Sequence, residues 1–250
     1  MKKFFLFLSL AFLLSSCAAV PRGPAGYPSQ SVYPSVAGPF VRQDVMHVVA
    51  PGETIWRISK MYDVRMQDII SANSLKSPRD LKMGQRIRVP HAAPLKSVVP
   101  LYRSNKWKYI IVHHTATEEG NALFINKIHN SKGWQGIGYH FIIDNGTSGK
   151  EAGHIEASPR WIKQQNGAHC QASSMNYRGI GVCLVGNFSR ERISEKQLDS
   201  LVYLVNILRN YYRIPLQNII GHGQVSGART ECPGKYFPWS EFKRQLAASR

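Results

Sequence analysis

Apolar positions along this chain follow two spacings. Between 195 and 212, Leu198, Leu201, Val202, Val205, Leu208 and Tyr211 recur every three or four residues, which predicts an amphipathic helix with one apolar stripe. Ser194 and Gln197 form a capping box at its start, Arg213 suits its negative end and Pro215 stops it. Short, nearly unbroken apolar runs at 109–113, 138–144, 179–186 and 217–221 predict buried strands. Further helices are expected over about 122–131 and from near Ser240. Strands alternating with helices predict an α/β fold, a mixed central sheet flanked by helices.

A smaller unit precedes it. Val45–Val49 reads as a strand and Pro51-Gly52-Glu53-Thr54 as a turn. A helix follows over 55–62, with Ile55, Ile58, Met61 and Tyr62 on one face, then a second from about Met66 to Ala72. Arg86-Ile87-Arg88-Val89 alternates as a closing strand. The order is βααβ. Val48 to Ser59, Ile70 to Asn73 and Leu81 to Pro90 together resemble the LysM domain. That resemblance implies binding to N-acetylglucosamine-containing glycan, usually peptidoglycan, with Gly52, Glu53, Thr54 and the loop from Asn73 to Ser77 at the sugar. Trp56 and Ile58 are read as core.

The N-terminus has a third pattern. Lys2 and Lys3 precede an apolar run from Phe4 to Leu14, eleven residues and too short to span a bilayer. Leu14-Ser15-Ser16-Cys17 resembles the lipobox of bacterial lipoproteins. The resemblance implies removal of residues 1–16 and acylation of Cys17, several chains together giving a firm membrane anchor. Ala18 after the cysteine favours the outer membrane under the Gram-negative sorting rule, with the domains facing the periplasm. Residues 17–44, with prolines at 21, 24, 28, 34 and 39, read as an extended tether. The chain then divides into 45–90, a linker over 91–106, and 107–250.

Charge adds a partner class. The net charge of +17 fits either a solvated basic face or an anionic partner, whether nucleic acid, acidic lipid or acidic glycan. It is spread, about +4 over 45–90 and about +7 over 107–250, which argues against nucleic acid, where a basic stripe is expected.

Candidate chemistry gathers at strand ends. The run Tyr109 to Val112 leads into His113-His114, Ile219-Ile220-Gly221 leads into His222, and Cys232 follows ten positions on. Two imidazoles and a thiolate are three zinc ligands, with a fourth place for water. Neighbouring strand residues point to opposite faces, so only one of the histidine pair can be a ligand. Of the remaining cysteines, Cys170 and Cys183 could pair or stay free, and the apolar setting of Cys183 makes it a small core residue.

Five stretches, Ile110–Thr117, Ile128–Trp134, Gly138–Asp144, Ile180–Phe188 and Gly221-His222 through Cys232-Pro233-Gly234, resemble the zinc-dependent N-acetylmuramoyl-L-alanine amidases of the phage-lysozyme and peptidoglycan-recognition-protein type. The resemblance implies Zn2+ on His113, His222 and Cys232, leaving His114 to packing. It implies hydrolysis of the amide between N-acetylmuramic acid and L-alanine by a zinc-activated water, assisted by Tyr139. Phage members carry a lysine two positions before the third ligand; this chain has Thr230, as do some animal members, and its hydroxyl is assigned to the oxyanion. His169 matches a position facing the cleft and is assigned to substrate, with a hydrogen bond within its loop as the alternative. The alternative is a peptidoglycan-binding receptor or tether without catalysis, and retention of all three ligands favours the enzyme.

Overall fold

A computed structural model describes residues 28–32 and 39–248; the apolar leader, Cys17 and most of the tether expected over 17–44 lie outside these residues. The chain enters through a short strand, β1 (Gln30–Val32), then builds the small unit from β2 (Gln43–Val48), α1 (Ile55–Tyr62), α2 (Met66–Ala72) and β3 (Arg86–Ala92). β2 and β3 pair antiparallel. Thr54 has extended backbone and its hydroxyl accepts from the Arg57 N–H, which starts α1. Ile55, Ile58 and Met61 of α1 then pack on Ile69, Ile87 and Val89. Trp56, expected in this core, is half-buried outside it; the fully turned-in residue next to it is Arg57.

Residues 91–106 are not a loose linker. They contain β4 (Val99–Leu101), and Val99, Leu101 and Tyr102 belong to the large core that follows. β1 pairs antiparallel with β4, and the Ser29 hydroxyl donates to the Leu101 carbonyl. Part of the expected tether is therefore docked. Prolines at 28, 34 and 100 hid this pair, because proline reads as a break although an edge strand tolerates it.

The large unit runs β5 (Tyr109–His114), α3 (Ala122–Ser131), β6 (Phe141–Ile143), β7 (Ile155–Ala157), α4 (Pro159–Ile162), α5 (Met175–Arg178), β8 (Gly179–Leu184), α6 (Glu195–Tyr212), β9 (Ile219–Gly221) and α7 (Trp239–Ala248). The sheet order is β7-β6-β8-β5-β9, parallel except for the β6–β7 pair. This is the mixed α/β sheet expected. β6 is shorter than the apolar run 138–144 because Gly181 N–H donates to the imidazole Nδ1 of His140 where the ladder would continue. β7 escaped notice because it is three residues long with Glu156 at its centre.

Alternation along the strands divides the sheet into two faces. Ile110, Val112, Phe141, Ile143, Ile180, Val182 and Leu184 meet Leu201, Val205 and Leu208 of α6 in the main core. The opposite face carries Ile111, Ile142 and Cys183 in two smaller clusters. His113 is on that second face, at the C-terminal end of the parallel strands, where α/β folds open their clefts.

The two units dock through buried charge. Arg57 donates to the carbonyls of Ala157 (3.0 Å) and Val98 (3.3 Å). Lys150 reaches back to the Val48 carbonyl (3.2 Å) and approaches Glu156 at 3.9 Å. Gly52, with φ +81°, brings its Cα so close to Pro159 that a Cβ there would meet the proline backbone at 3.3 Å.

Candidate metal centre and active site

The ends of β5 and β9 and the loop carrying Cys232 converge. The donor atoms of His113, His222 and Cys232 all lie within 4.8 Å of one another. The approach is built into the backbone: Gly223 N–H donates to the Cys232 carbonyl (2.7 Å), and a side chain at 223 would collide with the Thr230 carbonyl. The Cys232 sulfur accepts from the His114 backbone N–H (3.4 Å) and lies 3.7 Å from His113 Nδ1.

Hydrogen bonds set the tautomer of His113. His169 Nε2 faces the Gly179 carbonyl at 3.3 Å, and a carbonyl can only accept. Nε2 of His169 therefore carries its proton and Nδ1 is an acceptor. That acceptor lies 3.0 Å from His113 Nε2, which must then donate. The remaining lone pair of His113, on Nδ1, faces the Cys232 sulfur. Burial, with His169 and His222 beside it, holds His113 well below the usual histidine range, so the ring is neutral. Burial pushes the Cys232 thiol up to about 12 against a weaker pull from the His114 N–H; a cation among these donors would reverse that and keep it as thiolate. Two neutral imidazoles and a thiol, one imidazole already aimed by its neighbour, fit zinc.

His169 is thereby corrected. It was expected on the cleft wall against substrate, but the structure buries it behind His113 with both ring nitrogens engaged. His114 takes the packing place expected of it: its Nδ1 accepts from Phe188 N–H, and its ring lies 5.9 Å from that of Phe188.

Tyr139 faces the cluster, its ring centroid 5.1 Å from that of His113. Its phenol lies against the Cys183 thiol, and burial keeps it protonated well above the usual tyrosine range. Thr230 is exposed beside Cys232, and its hydroxyl oxygen accepts from the Cys232 N–H (3.2 Å), which leaves the O–H to donate elsewhere. Cys170 and Cys183 are both free thiols, so the pairing left open above is not made.

His129 carried no role in the sequence reading. Its Nδ1 accepts from Gly138 N–H (3.2 Å), and its ring lies 4.8 Å from Trp134 and 5.7 Å from Tyr139. It fixes the turn that delivers Tyr139. The available signal was its place on the inner face of α3, three residues after Asn126 and four after Ile125, both buried.

The residues expected at a sugar in the small unit are placed otherwise. Glu53 is buried: its carboxylate accepts from the Ala50 N–H (2.6 Å) and pairs with His47 (2.8 Å). Burial alone would raise its pKa, but the His47 hydrogen bond and charge outweigh that and bring it to about 2. Gly52 is against Pro159. The Asn73 amide is spent on the Ile69 and Arg88 backbone. Only Thr54 of these four is exposed, and its hydroxyl caps α1.

With this geometry in view, two family profiles match the chain. The N-acetylmuramoyl-L-alanine amidase profile covers residues 103–235, and the LysM domain profile covers 47–90. Peptidoglycan-recognition protein SC1a of Drosophila melanogaster is 30% identical over 149 residues, spanning 56% of this chain and 74% of the relative. The endolysin of Escherichia phage T7 is 30% identical over 144 residues, spanning 54% and 82%. Among solved structures, the endolysin N-acetylmuramoyl-L-alanine amidase LysCS from Clostridium intestinale is similar, with 34% identity, 57% and 84% coverage and a TM-score of 0.48.

Proposed function

We propose that this chain, which belongs to the N-acetylmuramoyl-L-alanine amidase family and carries a LysM domain, cuts peptidoglycan at the amide between the lactyl group of N-acetylmuramic acid and L-alanine. The reading is carried by one observation, the convergence of the donor atoms of His113, His222 and Cys232 within 4.8 Å of one another beside Tyr139. These three residues would hold zinc. When bound, zinc supplies a water acidic enough to attack near neutral pH and a Lewis acid for the scissile carbonyl.

The chain's own residues do the rest. His169 fixes the donor nitrogen of His113. Tyr139, protonated at rest, donates a hydrogen bond to the attacking oxygen and relays its proton toward the leaving amine. The Thr230 O–H, whose oxygen is held by the Cys232 N–H, donates to the developing oxyanion. Water's oxygen ends on the lactyl carbonyl carbon and its proton on the freed α-amine of L-alanine. Purified murein incubated with the zinc-loaded chain should yield new N-terminal alanine, and a chelator should stop it. No new amino terminus would overturn the reading.

The proposal extends to the N-terminus. Cys17 carries acyl chains that hold the protein on the outer membrane, facing the periplasm; the support is the basic start, the short apolar run and the Leu14–Cys17 motif. Cys17→Ser should release the protein from membranes, and its retention there would refute the anchor.

A further inference from the structure

The LysM and amidase units enclose a second cleft of about 1040 Å³ at their junction. Gly52 and Met83 form its LysM wall, and Gln135, Arg160, Lys163 and Asn166 line the amidase side, with Lys106 at its edge. The lining carries three cations and no carboxylate. Arg160 donates to the carbonyls of Ile137 (2.6 Å) and Asn166 (2.9 Å). Lys106 donates to the Gln164 carbonyl and the Asn166 side-chain oxygen, both at 3.2 Å, and lies 4.0 Å over the Trp107 ring. Carbonyls orient these cations without cancelling their charge, and no ion pair among the described residues includes any of the three. Lys163 is exposed at the mouth. The amides of Gln135 and Asn166 add donors and acceptors suited to peptide and acetamido groups.

The cleft is also joined to the active site by backbone. Ile137 precedes Tyr139 by two residues, so the segment that delivers Tyr139 to the metal centre also lines this cleft, and Gly167 leads within two residues to His169, which sits behind His113. We propose that this junction cleft binds the carboxylate-bearing stem peptide of peptidoglycan, so that one occupant touches both domains while the amide to be cut lies at the metal centre. This rests on the peptidoglycan reading above. It assigns to the cleft an anionic peptide on N-acetylated sugar, with Lys163, Lys106 and Arg160 as its charge partners.

Binding, not cleavage, tests it. The full-length protein, treated with chelator, is cosedimented with purified sacculi, with sacculi whose carboxyls have been converted to amides, and with a neutral N-acetylglucosamine oligomer measured by titration. Amidation should weaken binding of the unaltered protein about tenfold at low salt, with the difference shrinking as salt rises. Lys163→Glu should weaken binding to native sacculi by a similar factor, lose the preference for native over amidated sacculi, and leave oligomer binding unchanged. Lys106→Met should act in the same direction. Arg192→Glu makes the same change of charge at an exposed residue outside the cleft and should leave the preference intact. Equal binding to both kinds of sacculus by the unaltered protein, or equal effects of Lys163→Glu and Arg192→Glu, would overturn the assignment. Failure of the amidase reading would appear separately, as absent hydrolysis by the zinc-loaded protein.

Discussion

Two polar clusters lie under the surface of this protein, one where β5 and β9 end and one where β2 and α1 meet β7. The first is made of imidazoles and a thiol. His113 and His169 are held neutral by burial, and their protons run in one direction, from His113 to His169 to the Gly179 carbonyl. The second is made of charges: Arg57, Glu53, Lys150 and Glu156 are all buried, in contact with backbone carbonyls, backbone N–H groups or one another. Burial is the same in both places, but the outcome is not. A cluster that keeps unshared lone pairs pointing at one spot is prepared for a cation; one whose charges are matched holds two domains together.

The contrast can be broken by substitution. Cys232→Ala removes a ligand without touching the junction. Stoichiometric zinc and hydrolysis should both be lost while the thermal midpoint of the metal-free protein changes little; zinc content by atomic emission and amino-terminus release check this, and retained zinc would refute the ligand set. Arg57→Ala should do the reverse. It leaves Glu53 and Glu156 short of a buried partner, so about 3 kcal/mol of stability should be lost in denaturant unfolding, with zinc stoichiometry unchanged.

His169→Ala tests the relay. Released from its acceptor, His113 can rotate or change tautomer, and zinc affinity should fall about 10- to 100-fold by competition with a chromogenic chelator. An unchanged affinity would show that His169 does not orient the ligand.

The smallest effect concerns a proton. Neither oxygen of Asp144 has a donor, nor does Oε2 of Glu156. Burial and the Glu156 charge raise the Asp144 carboxyl well above the usual range, so Asp144 keeps its proton at neutral pH. A carboxyl whose pKa is raised on folding contributes stability at low pH that is lost as pH rises through the folded value. Asp144→Asn, which donates at any pH, should therefore raise the thermal midpoint by about 2–4 °C at pH 8, and the gain should shrink toward pH 4. A gain independent of pH would mean that no proton is held there.

How far these clusters could be read from the chain differs in the same way. His113, His222 and Cys232 were visible because each ends an apolar run or follows a glycine turn; strand alternation allowed only one of the histidine pair, and the family resemblance chose His113. His169 was misread because its role depends on a neighbour 56 residues away across the sheet, which no local spacing encodes. Arg57, Lys150 and Glu156 were given no role, since nothing in their own segments says that another domain covers them. The βααβ unit was legible from its periodicity, yet the face it turns to the amidase domain was not, so Gly52 and Glu53 were assigned to sugar when they are packed at the junction. β1 and β4 were lost because a proline interrupts β4 and prolines at 28 and 34 flank β1.

On the acylation of Cys17 proposed above, the β1–β4 pair bears on how far the enzyme could work from a membrane. With an anchor at Cys17, a leash ending at Gln43 would allow a reach of roughly 90 Å, at about 3.5 Å per residue. Ser29 is already fastened to Leu101, so the leash ends there and its upper limit is roughly 40 Å. Reach enters accessible volume as its cube, so the clip confines the protein to a space about tenfold smaller and raises its local concentration there by the same factor. On that proposed anchoring the docked strand would set a working distance, and this hydrolase would act on the layer of wall nearest the anchoring membrane.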